Sequence, residues 1–188
     1  MPRSHTVRAA AVVAVLFLLA VGWFLGSPLF IRTTANEPLP TVFMAIPATS
    51  SAPTVGATAT PLCTSGTRFS LRGQLQYVDA LHSGTGAVVM GVTSLVGCGV
   101  VGDAYFLRFE DVAITNAPDV HVYLSKDTGG KWNEATSKYL GPLKATNGSF
   151  NYDVAPIDAG EYKSVVVWCR AFAVLVTWAD LGPAYPSR

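Results

Sequence analysis

The sequence predicts an all-β domain, an antiparallel β-sandwich, preceded by one apolar N-terminal transmembrane helix. Three observations carry this. Residues 9–31 are 23 positions without a charge, apolar and polar residues alternate with period two after Cys63, and turn-forming residues separate the alternating runs. At 188 residues there is room for one domain of ordinary size and an anchor, not for two full domains.

As a helix the uncharged run rises ~34 Å, enough for a hydrocarbon core of ~30 Å. A cleaved signal peptide has a shorter apolar core and small residues at its cleavage site. Here Trp23, Phe24 and Leu25 stand where small residues are wanted. A buried core helix is the remaining alternative. Arg3 and Arg8 precede the run and Arg32 alone closely follows it. That bias places residues 1–8 in the cytoplasm and the remainder outside the cell, as a single-pass protein of the cell membrane.

Residues 32–62 hold five prolines and seven threonines up to Pro61, with no periodic pattern, and are expected to form a linker. Residues 63–182 are expected to fold, leaving 183–188 as a C-terminal tail. In that region Gln74–Val78 alternates, and Ala87–Met90 is a short apolar run closed by Gly91. Tyr105, Leu107 and Phe109 share a strand face, as do Val120, Val122 and Leu124, and Phe150, Tyr152 and Val154. Ser164–Cys169 and Phe172–Trp178 are nearly continuous β-branched and aromatic runs, suited to the buried centre of a sandwich. Turns are expected at 116–119, at 127–130 and at Asn147-Gly148, the last also a formal glycosylation sequon. Lys131–Lys138 has room for one helical turn.

From Cys63 onward ten Lys/Arg face eleven Asp/Glu. A nearly neutral domain without a basic stripe has no means of neutralising phosphates, which excludes nucleic acid as a partner. No HxxxH, CxxC or HExxH spacing occurs, so no metal site is supported. Ser125 and Ser164 lack a nucleophile elbow. The chain reads as a module rather than an enzyme with its own substrate.

The segments His82–Ala87, Tyr105–Asp111, Pro118–Ser125, Leu140–Lys144, Asn151–Val154 and Tyr162–Phe172 resemble, in order and spacing, the DM13 domain family, over about Arg72 to Leu181. The pair PDVHVYLS and YKSVVVWCRAF is the most specific part. The resemblance implies an extracellular β-sandwich of the DOMON/DM13 kind. It also implies a proposed electron-transfer role through the cysteine of VVWC, here Cys169, acting as a thiol or holding a group such as haem. One departure is the glycine-rich stretch between Val89 and Tyr105, which contains Cys98 and suggests an extra loop.

An odd count of three cysteines leaves one unpaired or an intermolecular bridge. Pairing Cys63 with Cys98 is economical, since both lie outside the motif segments, and closing that loop adds ~3–4 kcal/mol; other pairings stay open. Cys169 shares a strand face with Val165 and Val167, where a free cysteine behaves as a small buried hydrophobe. The redox reading therefore needs that sulfur to be reachable. Arg170 points to the opposite face. His121 and Tyr123 are expected to be exposed, as solvated residues or as flanks of a haem or metal site. Trp132, Trp168 and Trp178 suggest a sugar platform, although core packing explains the last two better.

Two functions follow. One is a membrane-tethered redox or electron-transfer module with an unidentified redox partner. The alternative is a non-catalytic adhesion or protein-interaction β-sandwich whose loops, 91–104 and 126–137, meet a partner.

Overall fold

A computed structural model describes residues 3–30, 32–40, 64–96, 103–154 and 161–184. In chain order its elements are α1 (Arg3–Phe30), β1 (Thr34–Asn36), β2 (Thr64–Gln74), β3 (Gly84–Val96), β4 (Asp103–Ile114), β5 (Val120–Ser125), β6 (Ser137–Pro142), β7 (Asn147–Val154), β8 (Ser164–Cys169), β9 (Val174–Asp180) and β10 (Gly182–Pro183). They form two sheets, ordered β1-β7-β4-β3-β2-β10 and β6-β5-β8-β9. The ladders are antiparallel except for β1, which runs parallel to β7. The expected sandwich-like architecture is present.

Alternation explains the core. Val122, Leu124, Val165, Val167, Cys169 and Val176 of the four-stranded sheet meet Val88, Met90, Leu107, Phe109 and Phe150 of the other. Phe109 stacks on Phe150 at 5.0 Å. Fully burying a side chain of this size contributes ~1.5–3 kcal/mol, so the inner faces dominate the stability. β8 lies between β5 and β9, and covering on both faces suits its Val-Val-Val-Trp run.

The expected linker departs from its assignment at the start. Thr33 accepts backbone N–H bonds from Thr146 and Asn147, and Glu37 donates to the Ser149 carbonyl at 2.7 Å. Thr93 Oγ1 donates to the Pro40 carbonyl. Residues 33–40 thus form a strap on the domain. β7 would otherwise be an edge strand with unsatisfied groups, which β1 pairs. Three residues are too few to show a period in the sequence.

The stretch expected as a loop at 91–104 is mostly hairpin. β3 and β4 stay in register to Ser94 and Asp103, and residues 97–102 lie outside the described set. Gly91 is needed where it stands, because a Cβ there would lie 2.6 Å from the Arg68 carbonyl and 2.8 Å from the Phe106 ring. Asn147-Gly148 is likewise no turn but the start of β7. Gly148 has φ +98, and a Cβ would strike the Ala35 carbonyl of β1. Lys131–Lys138 contains only a turn at 134–136 before β6 begins.

Side chains 10–24 of α1 are exposed all round. Among the described residues no helix is long and apolar enough to cross a membrane. The apolar run with described side chains, Ala10–Phe24, rises ~22 Å against a core of ~30 Å. Cys63 and Cys98, and with them the expected disulfide, lie outside the described residues.

Candidate functional site

Cys169 closes β8 and is 0% exposed. It lies opposite Val120 on one side and Val174 on the other, within the core cluster that holds Val165 and Val167. Its S–H donates to the Pro118 carbonyl at 2.9 Å. A sulfur so placed meets no reagent from solution. The adjacent guanidinium does not activate it, since Arg170 Nε donates instead to the Tyr123 hydroxyl at 2.7 Å.

Two of the residues beside the sulfur nevertheless line an open groove. Pro118 and Val174 line a space of about 560 Å³ together with Leu81, His82, Ala117, Phe172 and Arg32. Two turns build its rim. In the 79–82 turn the Asp79 carboxylate accepts the backbone N–H groups of Leu81 and His82 at 2.7 and 2.8 Å, which leaves Leu81 74% exposed. In the β8–β9 turn Ala173 takes φ +52, and Phe172 stands 61% exposed. Both apolar side chains stand at the rim of this one groove.

In this turn His82 Nδ1 lies 2.9 Å from both Asp79 oxygens, so Nδ1 donates there, and in the neutral ring Nε2 then carries no proton. The His82 side chain and the turn's N–H groups hold the Asp79 carboxyl below its ordinary value. Among the described residues no hydrogen bond is made by Nε2. A histidine oriented by a carboxylate in this way presents a ligating nitrogen.

The outer face of the four-stranded sheet carries a second cluster. His121 and Tyr123, expected to be exposed, are 7% and 5% exposed. The sequence put them on the correct face, but Trp132 from the 126–137 loop and Tyr139 from β6 cover it. Trp132 stacks on Trp168 at 4.9 Å, and Tyr123 meets Trp132 at 5.6 Å and Tyr139 at 5.3 Å. The Arg170 guanidinium lies 4.5 Å from the centre of the Tyr139 ring. Trp168 therefore packs in this outer cluster rather than in the core, and Trp178 lies against Gly130 of the same loop. A shallow groove of about 440 Å³ runs along the cluster.

Within it His121 makes two bonds in line. Nε2 lies 2.6 Å from Asp119 Oδ1, and Nδ1 lies 2.9 Å from the Tyr139 hydroxyl. The spacing of Asp119 and His121 was legible as i, i+2 at the start of a strand. Tyr139 was not, because its register against Tyr123 follows from the pairing of β5 with β6. Leu81 and Phe172 were also missed, since turn conformation decides their exposure. No group of three or more metal-ligating side chains is found among the described residues.

Residues 91–181 match the family described as Electron transfer DM13. The match begins later than the resemblance read from the motifs, at Gly91 rather than near Arg72, and takes in Cys169, His121, Tyr139 and Phe172 of the DM13-like region. No curated protein and no solved structure matches the chain.

Proposed function

We propose that the chain is a redox module of the electron-transfer type, which works through a group held in the groove in front of Cys169. The single observation that carries this is the groove itself. Exposed Leu81 and Phe172 and a carboxylate-oriented His82 line one space, and Pro118 and Val174, the neighbours that cover the Cys169 sulfur, form part of the same lining. A collisional thiol reaction is disfavoured by the complete burial of Cys169, and the DM13 match, over residues 91–181, supports a redox role without assigning its site.

A haem, the group implied by the resemblance, fits the residues present. Leu81, Ala117, Pro118, Phe172 and Val174 offer apolar walls, His82 Nε2 a ligating nitrogen, and Arg32 a partner for a carboxylate. Cys169 is no ligand while its proton bonds Pro118. Bound there, the group would supply one-electron chemistry. The chain's own part is to fix the His82 ring through the Asp79 carboxylate and to supply the apolar surfaces of Leu81 and Phe172.

In this reading α1 tethers the domain to the cell membrane, with the domain extracytoplasmic and residues 1–8 cytoplasmic. The all-round exposure of its apolar side chains supports the tether. The test is an absorption titration of the full chain in detergent with ferric haem. We expect a Soret shift that His82→Ala abolishes and Cys169→Ser preserves. No shift in the parent chain overturns the haem form of the reading.

The buried sulfur favours the alternative, an adhesion or interaction module, in one respect: it gives Cys169 a packing role. That alternative gains ground if His82→Ala and Cys169→Ser both leave every redox property unchanged.

A further inference from the structure

We infer that Tyr139 is a redox-active tyrosine whose phenolic proton is taken by His121, with Asp119 holding the base. The observation is the unbroken line from Tyr139 hydroxyl to His121 Nδ1 at 2.9 Å and from His121 Nε2 to Asp119 Oδ1 at 2.6 Å. The inference does not depend on whether the groove at His82 holds a cofactor.

The tautomer follows from the partners. A carboxylate only accepts, so Nε2 carries the proton facing Asp119. In the neutral ring Nδ1 is then an acceptor, and the Tyr139 O–H donates to it. Loss of an electron makes a phenol a very strong acid, so a tyrosine is oxidised readily only where a base can take the proton at that moment. Nδ1 stands within the 2.6–3.2 Å reach that proton transfer needs.

Balance is complete with a one-electron oxidant of the outer-sphere metal-complex class. Tyr139 gives one electron to the oxidant, whose metal is reduced by one unit. The phenolic proton moves to Nδ1, leaving a neutral tyrosyl radical and an imidazolium. The imidazolium keeps its Nε2–H bond to Asp119, whose charge offsets the new cation.

Among the described residues, the buried Tyr123 and Tyr152 lack this arrangement. The Tyr123 hydroxyl accepts from the Arg170 guanidinium, which takes up no proton. Tyr152 donates to the Pro142 carbonyl, a poor base, and is buried. Tyr139 is 46% exposed, so an oxidant reaches the ring directly. Behind it Tyr123, Trp132 and Trp168 continue in ring-to-ring steps of 5.3, 5.6 and 4.9 Å. These rings offer the hole a path into β8, the strand that ends at Cys169.

The test oxidises the full chain in detergent with hexachloroiridate(IV), followed by stopped-flow absorption and freeze-quench electron paramagnetic resonance. We expect a neutral tyrosyl signal that Tyr139→Phe removes, with a solvent deuterium isotope effect on its formation. His121→Gln should slow oxidation ~10²-fold, the usual worth of a positioned base. Asp119 has φ +56, a conformation that asparagine also tolerates, so Asp119→Asn retains the fold while removing the charge. It should slow oxidation ~10-fold, the worth of one charged hydrogen bond. A signal that survives in Tyr139→Phe, or equal rates in the parent and Asp119→Asn chains, overturns the inference.

Discussion

At the scale of single residues, burial and hydrogen bonding decide what each side chain can do. Cys169 has no exposed surface and its S–H is engaged. Thiol reagents should therefore modify it only after denaturation, which a thiol count with and without guanidinium measures; Cys63 and Cys98 are first replaced by serine. Cys169→Ser keeps a donor for Pro118 but buries a more polar group, and should cost ~1–3 kcal/mol by chemical denaturation. Phe109→Ala, which empties the stack on Phe150, should cost ~3–5 kcal/mol in the same assay. The face occupied by Cys169, Val165 and Val167 was legible from alternation alone. Its accessibility was not, because the Pro118 carbonyl and Val174 that seal it come from other parts of the chain.

At the scale of elements, the strap of residues 33–40 is the main addition to the sequence reading. Glu37 ties it down. Burial raises the Glu37 carboxyl, but the Asn151 backbone N–H and the Lys144 ammonium outweigh it, and the group sits below its ordinary value. A lowered value in the folded state means that the contact stabilises the strap above the ordinary glutamate value and is lost as pH falls through the folded one. Protection of the backbone amides of β1 and β7, taken relative to the intrinsic exchange rate at each pH, should therefore fall below pH 4.5, with no such acid step in Glu37→Gln, as read by hydrogen exchange. β2 and β3 lead to a second prediction. Thr64 and Val96 are Cα partners, one and two residues from Cys63 and Cys98. The proposed bridge between those cysteines should appear in non-reducing peptide mapping, and its reduction should lower stability by ~3–4 kcal/mol.

Across the whole molecule, the apolar surface is distributed unevenly. The domain keeps its large side chains inside except at rims such as Leu81 and Phe172, whereas α1 exposes Val12 through Phe24. The tethering proposal has a direct check. The full chain should float with phosphatidylcholine vesicles, and a chain lacking residues 1–31 should stay in the aqueous fraction.

What the sequence determined by itself was the class of fold, most strands of the core and the inward face of residues such as Phe109, Val122, Leu124 and Phe150. Those properties are local, fixed by a period of two and by β-branched and aromatic content. The alternation at Gln74–Val78 forms no strand beyond Gln74, and Trp168 packs outside the core. Only the tertiary structure decided which residues share a site. Leu81 with Phe172, Tyr139 with His121, and the 33–40 strap with β7 are brought together by strand pairing and turn geometry between segments distant in the chain. No spacing along one strand encodes a neighbour that arrives from another.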